Sequence, residues 1–160
     1  MPGFTHLNEK SEAQMVNISE KEKTKRRAIC TGFIKMKKET LDAIIANKIT
    51  KGNVLSVARI AGIMAAKKTW DLIPLTHPIS ITSAGVKFEI LDSGIQATAE
   101  IETMDRTGIE MESFTAVSVA LLTIYDMCKS RDREMVIKEI KLEEKSGGRS
   151  GTYRRHPLTP

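Results

Sequence analysis

Asp126 and Lys129 stand three residues apart in the run LLTIYDMCK. On a helix that spacing puts a carboxylate and an ammonium on one face. At a solvated surface such a pair is a minor ion pair, worth a fraction of a kcal/mol. Here the surrounding run is too apolar for a surface helix, so the pair is expected where burial begins. Burial and mutual attraction would then tune both groups toward neutrality for acid–base work. Glu112 lies 14 residues before Asp126, within about 40° of the same helical face; Glu110 does not share that face. Both glutamates fall in a first helical turn, where they suit the helix dipole whatever their chemistry. His77, between Thr76 and Pro78 in DLIPLTHP, is the third candidate for proton transfer. A lone histidine is more often simply packed, but the prolines hold this one in a fixed loop.

Two segments have the composition of anion sites. Lys145-Ser-Gly-Gly-Arg149-Ser-Gly combines cations with glycines that let backbone N–H groups converge on a phosphate. Its spacing is not that of a P-loop, and a flexible tail is the competing reading. Lys51-Gly52 precedes a helix start and is a second, weaker anion site. No His, Cys, Asp or Glu set has metal-ligand spacing, so no dedicated protein-bound metal is expected. His6 and His156 lie in the terminal arms and suggest no role.

The elements that must position these groups follow from periodicity. Residues 1–27 are polar and read as a weakly ordered arm. Ala28 to Met36 reads as a strand, with Ile29, Phe33 and Ile34 as its apolar contacts. KETLDAIIANK is a short helix. Asn53 is placed to cap a second helix from Val54 to about Thr69. Ala58, Ala61, Gly62, Ala65 and Ala66 would let that helix approach a neighbour closely. Gly85–Leu91 and Ile95–Thr103 alternate about an LDSG turn, as a hairpin does. Ile109 to Lys129 is a long helix, apolar almost all round, which demands cover on two sides; a second subunit is one way to supply the outer cover. Glu134 to Leu142 is a last strand whose alternation slips between Ile137 and Ile140. The order strand, two helices, two strands, helix, strand predicts an α+β, ferredoxin-like fold. It would have a four-stranded antiparallel sheet, helices on one face and an extra helix in the first crossover. Residues 1–160 form a single domain in this reading, with 1–27 and 146–160 as arms.

The chain has 160 residues with 25 basic and 20 acidic side chains, a net charge of +5. Four of those five charges sit in residues 145–160, where Lys145, Arg149, Arg154 and Arg155 meet no acid. The body is therefore nearly neutral, which argues against a broad nucleic-acid surface. Ser113 to Tyr125 is an uncharged, apolar stretch of 13 residues, against about 20 for a membrane-spanning helix. The first residues lack the apolar run of a secretory signal. Cys30 and Cys128, the only two cysteines, make no disulfide framework. A cytoplasmic protein with no membrane partner is the expectation.

KGNVLSVARIAGIMAAKKTWDLIPLTHPI (51–79), TGIEMESFTAVSVALLTIYDMCK (107–129) and KSGGRSG (145–151) together resemble the MoaC family. These are the cyclic pyranopterin monophosphate synthases of molybdenum cofactor biosynthesis. The likeness runs from about Thr5 to Gly151. It implies a lyase that converts 3′,8-cyclo-7,8-dihydro-GTP to cyclic pyranopterin monophosphate and pyrophosphate, downstream of the radical enzyme that cyclises GTP. It also implies a homohexamer, a trimer of dimers with active sites at subunit interfaces. It implies no resident cofactor, with Mg²⁺ free to accompany the triphosphate. Carried over by position, Asp126 is the catalytic aspartate and Lys129 its partner, with His77 beside them. Leu75, Thr76, His77, Met111 and Glu112 contact substrate, and Glu110 is a weaker candidate for the ring. Lys51, Lys67 and Lys145 are assigned mainly to the triphosphate. The chain departs from the usual family pattern at Asn17, Asn53, Thr76 and Arg149.

Two other readings compete. Ferredoxin-like RNA-binding modules stack bases on exposed sheet aromatics; here the strands offer only Phe33 and Phe88, both expected on apolar faces. A non-catalytic oligomeric scaffold is the third reading.

Overall fold

The computed structural model describes Lys10 and residues 12–156; His6 lies outside them. The chain forms β1 (Thr24–Lys35), α1 (Lys38–Ile45), α2 (Val54–Ala66), α3 (Thr69–Leu72), β2 (Ile81–Leu91), β3 (Gly94–Asp105), α4 (Glu110–Cys128), β4 (Val136–Ser146) and β5 (Tyr153–Arg154). One antiparallel sheet runs in the order β2-β3-β1-β4-β5. Its first four strands have the ferredoxin-like order, and the helices lie on one face.

Small side chains on the helix-facing side of the sheet let α4 come close. Ala28, Cys30 and Ile34 of β1 pair with Ile101, Ala99 and Ile95 of β3, and all are buried. Gly32 sits at the centre of this row. A Cβ there would stand 2.8 Å from both Leu121 Cδ1 and Val117 Cγ1 of α4, so only glycine admits the helix. The Ser113 hydroxyl donates to the Ala99 carbonyl at 3.0 Å and ties α4 to β3. The slip seen in the last strand is a β-bulge. Lys138 pairs with Phe33 and Lys141 with Thr31, so Glu139 and Ile140 together oppose Gly32. Glu139 takes φ 58° to do this, and the bulge returns Ile140 to the core side.

The outer cover of α4 is not another subunit but α2 of the same chain. Its small residues allow this, as expected: a Cβ added at Gly62 would meet the Ala116 carbonyl at 2.8 Å and Ala120 Cβ at 3.2 Å. With the sheet on one side and α2 on the other, the 19-residue α4, long and apolar enough to cross a membrane, is taken up by the core. α2 ends at Ala66 rather than Thr69, because the Thr69 hydroxyl turns back onto the carbonyls of Ala65 and Ala66 at 3.5 and 3.0 Å. Asn53 caps α2 as predicted, accepting the Ser56 N–H at 2.9 Å.

Both arms are corrected. β1 begins at Thr24, inside the segment read as an arm. The tail adds a fifth strand, because the Arg155 N–H and Nε donate to Glu143 O and Leu142 O, both at 2.8 Å. Arg154 also pairs with Glu144 at 3.2 Å. β2 starts at Ile81, four residues early, where the Thr103 hydroxyl holds Ser80 O at 2.6 Å. The sheet's open face is charged: Arg27 lies between Glu100 (2.6 Å) and Glu144 (2.8 Å). Phe33 lies on this open face, under Lys138 Nζ at 5.5 Å, because the core side of β1 takes the even positions. Phe88 is covered by Arg59. Neither is a free platform for a base.

Gly32→Ala should cost about 1–3 kcal/mol, the usual penalty for overpacking a dense core. Urea denaturation monitored by far-UV circular dichroism measures it, and an unchanged midpoint would contradict the close seating of α4.

Candidate active site

Asp126 sits in the last turn of α4, and Lys129, the residue at its C-cap, reaches back to it. Lys129 Nζ lies 2.8 Å from Asp126 Oδ1. Lys51, from the turn before α2, lies 2.8 Å from Oδ2 and also donates to the Asp126 carbonyl at 2.9 Å. That turn is set by Gly52 at φ 101° and by the Asn53 cap. Lys51 thus neutralises an unpaired carbonyl at a helix C-terminus as well as the carboxylate. All three side chains are half-exposed, so the expectation that this pair sits where burial begins is not met in the single chain. The pKa values consequently move away from neutrality. Hydrogen bonds and charge from Lys129 and Lys51 lower Asp126 to about 2. Asp126 in turn raises Lys129. The lysines thus favour Asp126 as the carboxylate, which contacts both ammonium groups.

Sequence reading missed the anchor of this end. Asp132, 2% exposed, accepts the Lys37 N–H at 2.9 Å and the Glu134 N–H at 3.1 Å. It pins the loop after Lys129 to the start of α1. Nothing in the local pattern RDRE distinguishes it from a surface acid.

A second cluster lies at the other end of α4. Leu75, Thr76 and His77, from the proline-bounded loop, meet Glu110, Met111 and Glu112 around a cavity of about 290 Å³. The loop is folded by the Thr76 hydroxyl, which donates to Ile73 O at 2.9 Å. The predicted substrate-contacting residues are therefore brought together. Val16, Ile18 and Lys21 complete the wall; they come from the segment read as an arm, where no periodicity marks them. Glu110 folds its carboxylate over Gly108, where a Cβ would stand 2.0 Å from Oε2. Glu112 is 3% exposed, with no cation among its causes of shift. Burial first, and then the nearby Glu110, push it up to about 7. A carboxyl shifted in this direction can exchange a proton near neutral pH.

Asp126 and Glu112 both stand on α4, one exposed and one buried. Fourteen residues of helix nevertheless separate them by about 21 Å along the axis. One chain does not bring Asp126 and Lys129 to His77. Lys145 lies elsewhere again, at the end of β4, hydrogen-bonded to Ser150. Lys67 is exposed at the C-cap of α2 and is not among the residues lining the cavity.

A ferredoxin-like α+β sheet here carries a lysine-flanked carboxylate and an acidic cavity with a histidine, groups of the kind that acid–base chemistry uses. The comparisons with known proteins are specific. A model of the MoaC family matches residues 15–148. Cyclic pyranopterin monophosphate synthase of Thermoanaerobacter sp. (strain X514) is 54% identical over 154 residues, covering 95% of this chain and 98% of that one. The proteins of the same name from Pelotomaculum thermopropionicum and Listeria monocytogenes serotype 4a are 50% and 52% identical. They cover 97% and 94% of this chain, and 92% and 95% of their own lengths. The chain belongs to the MoaC family.

Glu112 gives a stability signature. Its folded pKa is raised, so the stabilisation from burying the neutral acid is complete below the unfolded value of about 4.3 and is lost as pH rises through about 7. Urea denaturation from pH 4.5 to 8 should show the wild type losing stability across this window. Glu112→Gln should flatten the loss by on the order of 1–3 kcal/mol. Parallel profiles for the two proteins would rule out a buried, neutral Glu112.

Proposed function

We propose that this chain converts 3′,8-cyclo-7,8-dihydro-GTP to cyclic pyranopterin monophosphate and pyrophosphate, as a lyase of molybdenum cofactor biosynthesis. The names of its relatives support the reaction, and the residue sets supply its chemistry. Opening the five-membered purine ring and closing a pterin needs repeated proton transfers. Glu112 and His77 face the cavity that suits the ring, and a carboxyl with a pKa near neutrality both gives and takes a proton. Lys129 and Lys51, oriented by Asp126, supply fixed positive charge where phosphate oxygens gain negative charge. The rearrangement does not change the overall oxidation level, so no redox cofactor enters this reading. Mg²⁺ would accompany the triphosphate rather than a protein ligand set. The cytoplasm, where a radical enzyme cyclises GTP, is the expected setting.

The observation that carries this proposal is the placing of the two residue sets at opposite ends of α4. A reaction needing both requires a second chain, related by a two-fold axis, whose Asp126 end meets the Glu112 end of the first. Val57, Ile60 and Met64 of α2, with Trp70 and Leu72 of α3, are exposed apolar residues on the helical layer and suit such an interface. A trimer of these dimers is the assembly we propose.

The reaction is tested by measuring pyrophosphate release from the cyclised GTP. Wild type should turn over and Lys129→Ala should lose at least about a hundredfold in kcat, the size of a lost general acid or charge clamp. No turnover by the correctly assembled wild type would favour the scaffold reading. Complementation tests the shared site. Asp126→Ala and Glu112→Gln, each inactive, should recover roughly a quarter of wild-type activity after mixing and reassociation, because half the dimers then carry one intact site of two. No recovery despite subunit exchange would mean that each chain builds its own site.

A further inference from the structure

Lys129 and Lys51 are held by more than their bonds to Asp126. Both side chains are half-exposed, and a solvated ion pair on long, flexible stems fixes neither partner closely. Their geometry must come from the backbone beneath them. Lys129 stands at the C-cap of α4, and the chain after it folds into a closed turn. The Lys129 N–H donates to Tyr125 O at 2.8 Å, and those of Arg131 and Asp132 donate to Cys128 O at 2.9 and 3.1 Å. The Tyr125 hydroxyl donates to Arg133 O at 3.2 Å. The buried Asp132 carboxylate then ties this turn to the next element. We propose that Asp132 is a positioning residue, which sets the geometry of Lys129 and Lys51 about Asp126 by locking the turn after α4 to the start of α1. This inference rests on the proposed reaction for its effect on turnover, though not for its effect on the lysines.

Both carboxylate oxygens are engaged. Oδ2 accepts the Lys37 N–H at 2.9 Å and the Thr40 hydroxyl at 3.4 Å, and Oδ1 accepts the Glu134 N–H at 3.1 Å. Lys37 is the N-cap of α1 and makes no capping bond with its own side chain. Asp132 therefore supplies from outside the negative charge that a helix N-terminus favours. Burial alone would raise the pKa of Asp132, but the Lys37 and Glu134 N–H groups, the Lys37 charge and the Thr40 hydroxyl outweigh it and lower the pKa. Burying a charge is unfavourable, and a neutral Asn or Ser can also join a loop to a helix start. A carboxylate bonded by each oxygen to a different segment does more, because it fixes the angle between them.

α1 carries this constraint to Lys51. Its last turn continues without a break: the Ala46 N–H donates to Asp42 O at 2.9 Å and the Lys48 N–H to Ala43 O at 2.8 Å. Ile49 is buried in the core. The Gly52 N–H donates to Ile49 O at 3.0 Å, and Asn53 Nδ2 donates to Asn47 Oδ1 at 3.1 Å. Lys51 thus projects from a turn that moves with α1. Asp132 joins the two elements that each bring one ammonium group to Asp126.

The test is Asp132→Asn in the full-length protein, which keeps the shape but turns an NH₂ toward one of the N–H donors. With the cyclised GTP, kcat should fall by about ten- to a hundredfold, the scale of a misplacement near 1 Å. KM should change by less than about threefold, because a charge aimed at the transition state is displaced. An Asp132 that only stabilised the fold would lower the urea midpoint and leave the turnover of the folded enzyme unchanged. A second readout needs no substrate. The hydrogen bond and charge of Asp126, with a smaller contribution from Tyr125, raise the pKa of Lys129, so loosening the pair releases free amine. Trace labelling of Lys129 with acetic anhydride at about pH 9, read by mass spectrometry, should run at least about threefold faster in Asp132→Asn, as the lysine returns toward its ordinary value of about 10.4. Lys38→Gln, which removes an exposed ion pair on α1, should leave both readouts unchanged. Thr40→Val removes one donor to Asp132 and should move both readouts the same way by about twofold or more. Wild-type kcat or wild-type labelling in a folded Asp132→Asn would overturn the proposal; if that variant does not fold, unchanged labelling in Thr40→Val would overturn it. Faster labelling in the variants of a wild type that does not turn over cyclised GTP would uphold the positioning of Lys129 and sink the proposed reaction instead.

Discussion

The seating of α4 on the small-residue centre of the sheet is the contact on which the rest of the molecule depends. Gly32 allows Val117 and Leu121 to lie directly on β1, and Ser113 ties the helix to β3. α2 can then close over α4 through Gly62 and its flanking alanines. The layers pack glycines and alanines against branched aliphatic side chains such as Ile34, Ile101 and Leu121, which is how a chain with only 4% aromatics builds a dense core. That packing also fixes the axis of α4. Both candidate residue sets hang from this helix, so their separation of about 21 Å is a rigid property of the fold.

The two ends of α4 illustrate how environment sorts groups of the same chemical type. Asp126, in water between two lysines, is driven to about 2; Glu112, buried without a cation, is driven to about 7. In the proposed reaction one serves as a fixed charge and the other as a proton carrier, the division of labour that acid–base sites generally need. The proline-bounded loop brings His77 to the same cavity as Glu112. The proposed reaction thus places proton exchange at the N-terminal end of the helix and charge stabilisation at its C-terminal end. A single chain has both functions and joins neither, which is the physical reason to look for a second copy.

Most of the fold was legible because periodicity is a local signal. The alternation about LDSG, the cap at Asn53, the small-residue face of α2 and even the slip between Ile137 and Ile140 all appeared in the sequence as they appear in space. The site was legible in parts for the same reason: the segments around His77 and Glu112 do meet at one cavity. What spacing could not show was depth. Whether Asp126 lies buried or in water depends on where α2 and the Lys51 turn end, which is set by packing across the chain. The direction of its pKa shift was therefore read with the wrong sign. The outer cover of α4 was misplaced because apolarity says that a helix is covered, not by which element. The arms were misread because Arg26, Thr24, Val16 and Arg155 earn their places through partners distant in sequence.

Those arms also change the meaning of the charge. The basic residues near the C-terminus divide into two groups. Arg154 and Arg155 are structural, paired with Glu144 and Glu143 and bonded to the edge of β4. They hold a two-residue strand against the end of β4, which shortens the open edge. Arg149 is held by neither device and instead faces Lys21 and Arg26 from the opposite terminal segment. Glu20 and Glu22 line the same hollow, so its charge is mixed rather than of one sign. The basic residues near the C-terminus therefore differ in role: Arg154 and Arg155 extend the sheet, and Arg149 lies where the segment before β1 meets the loop after β4.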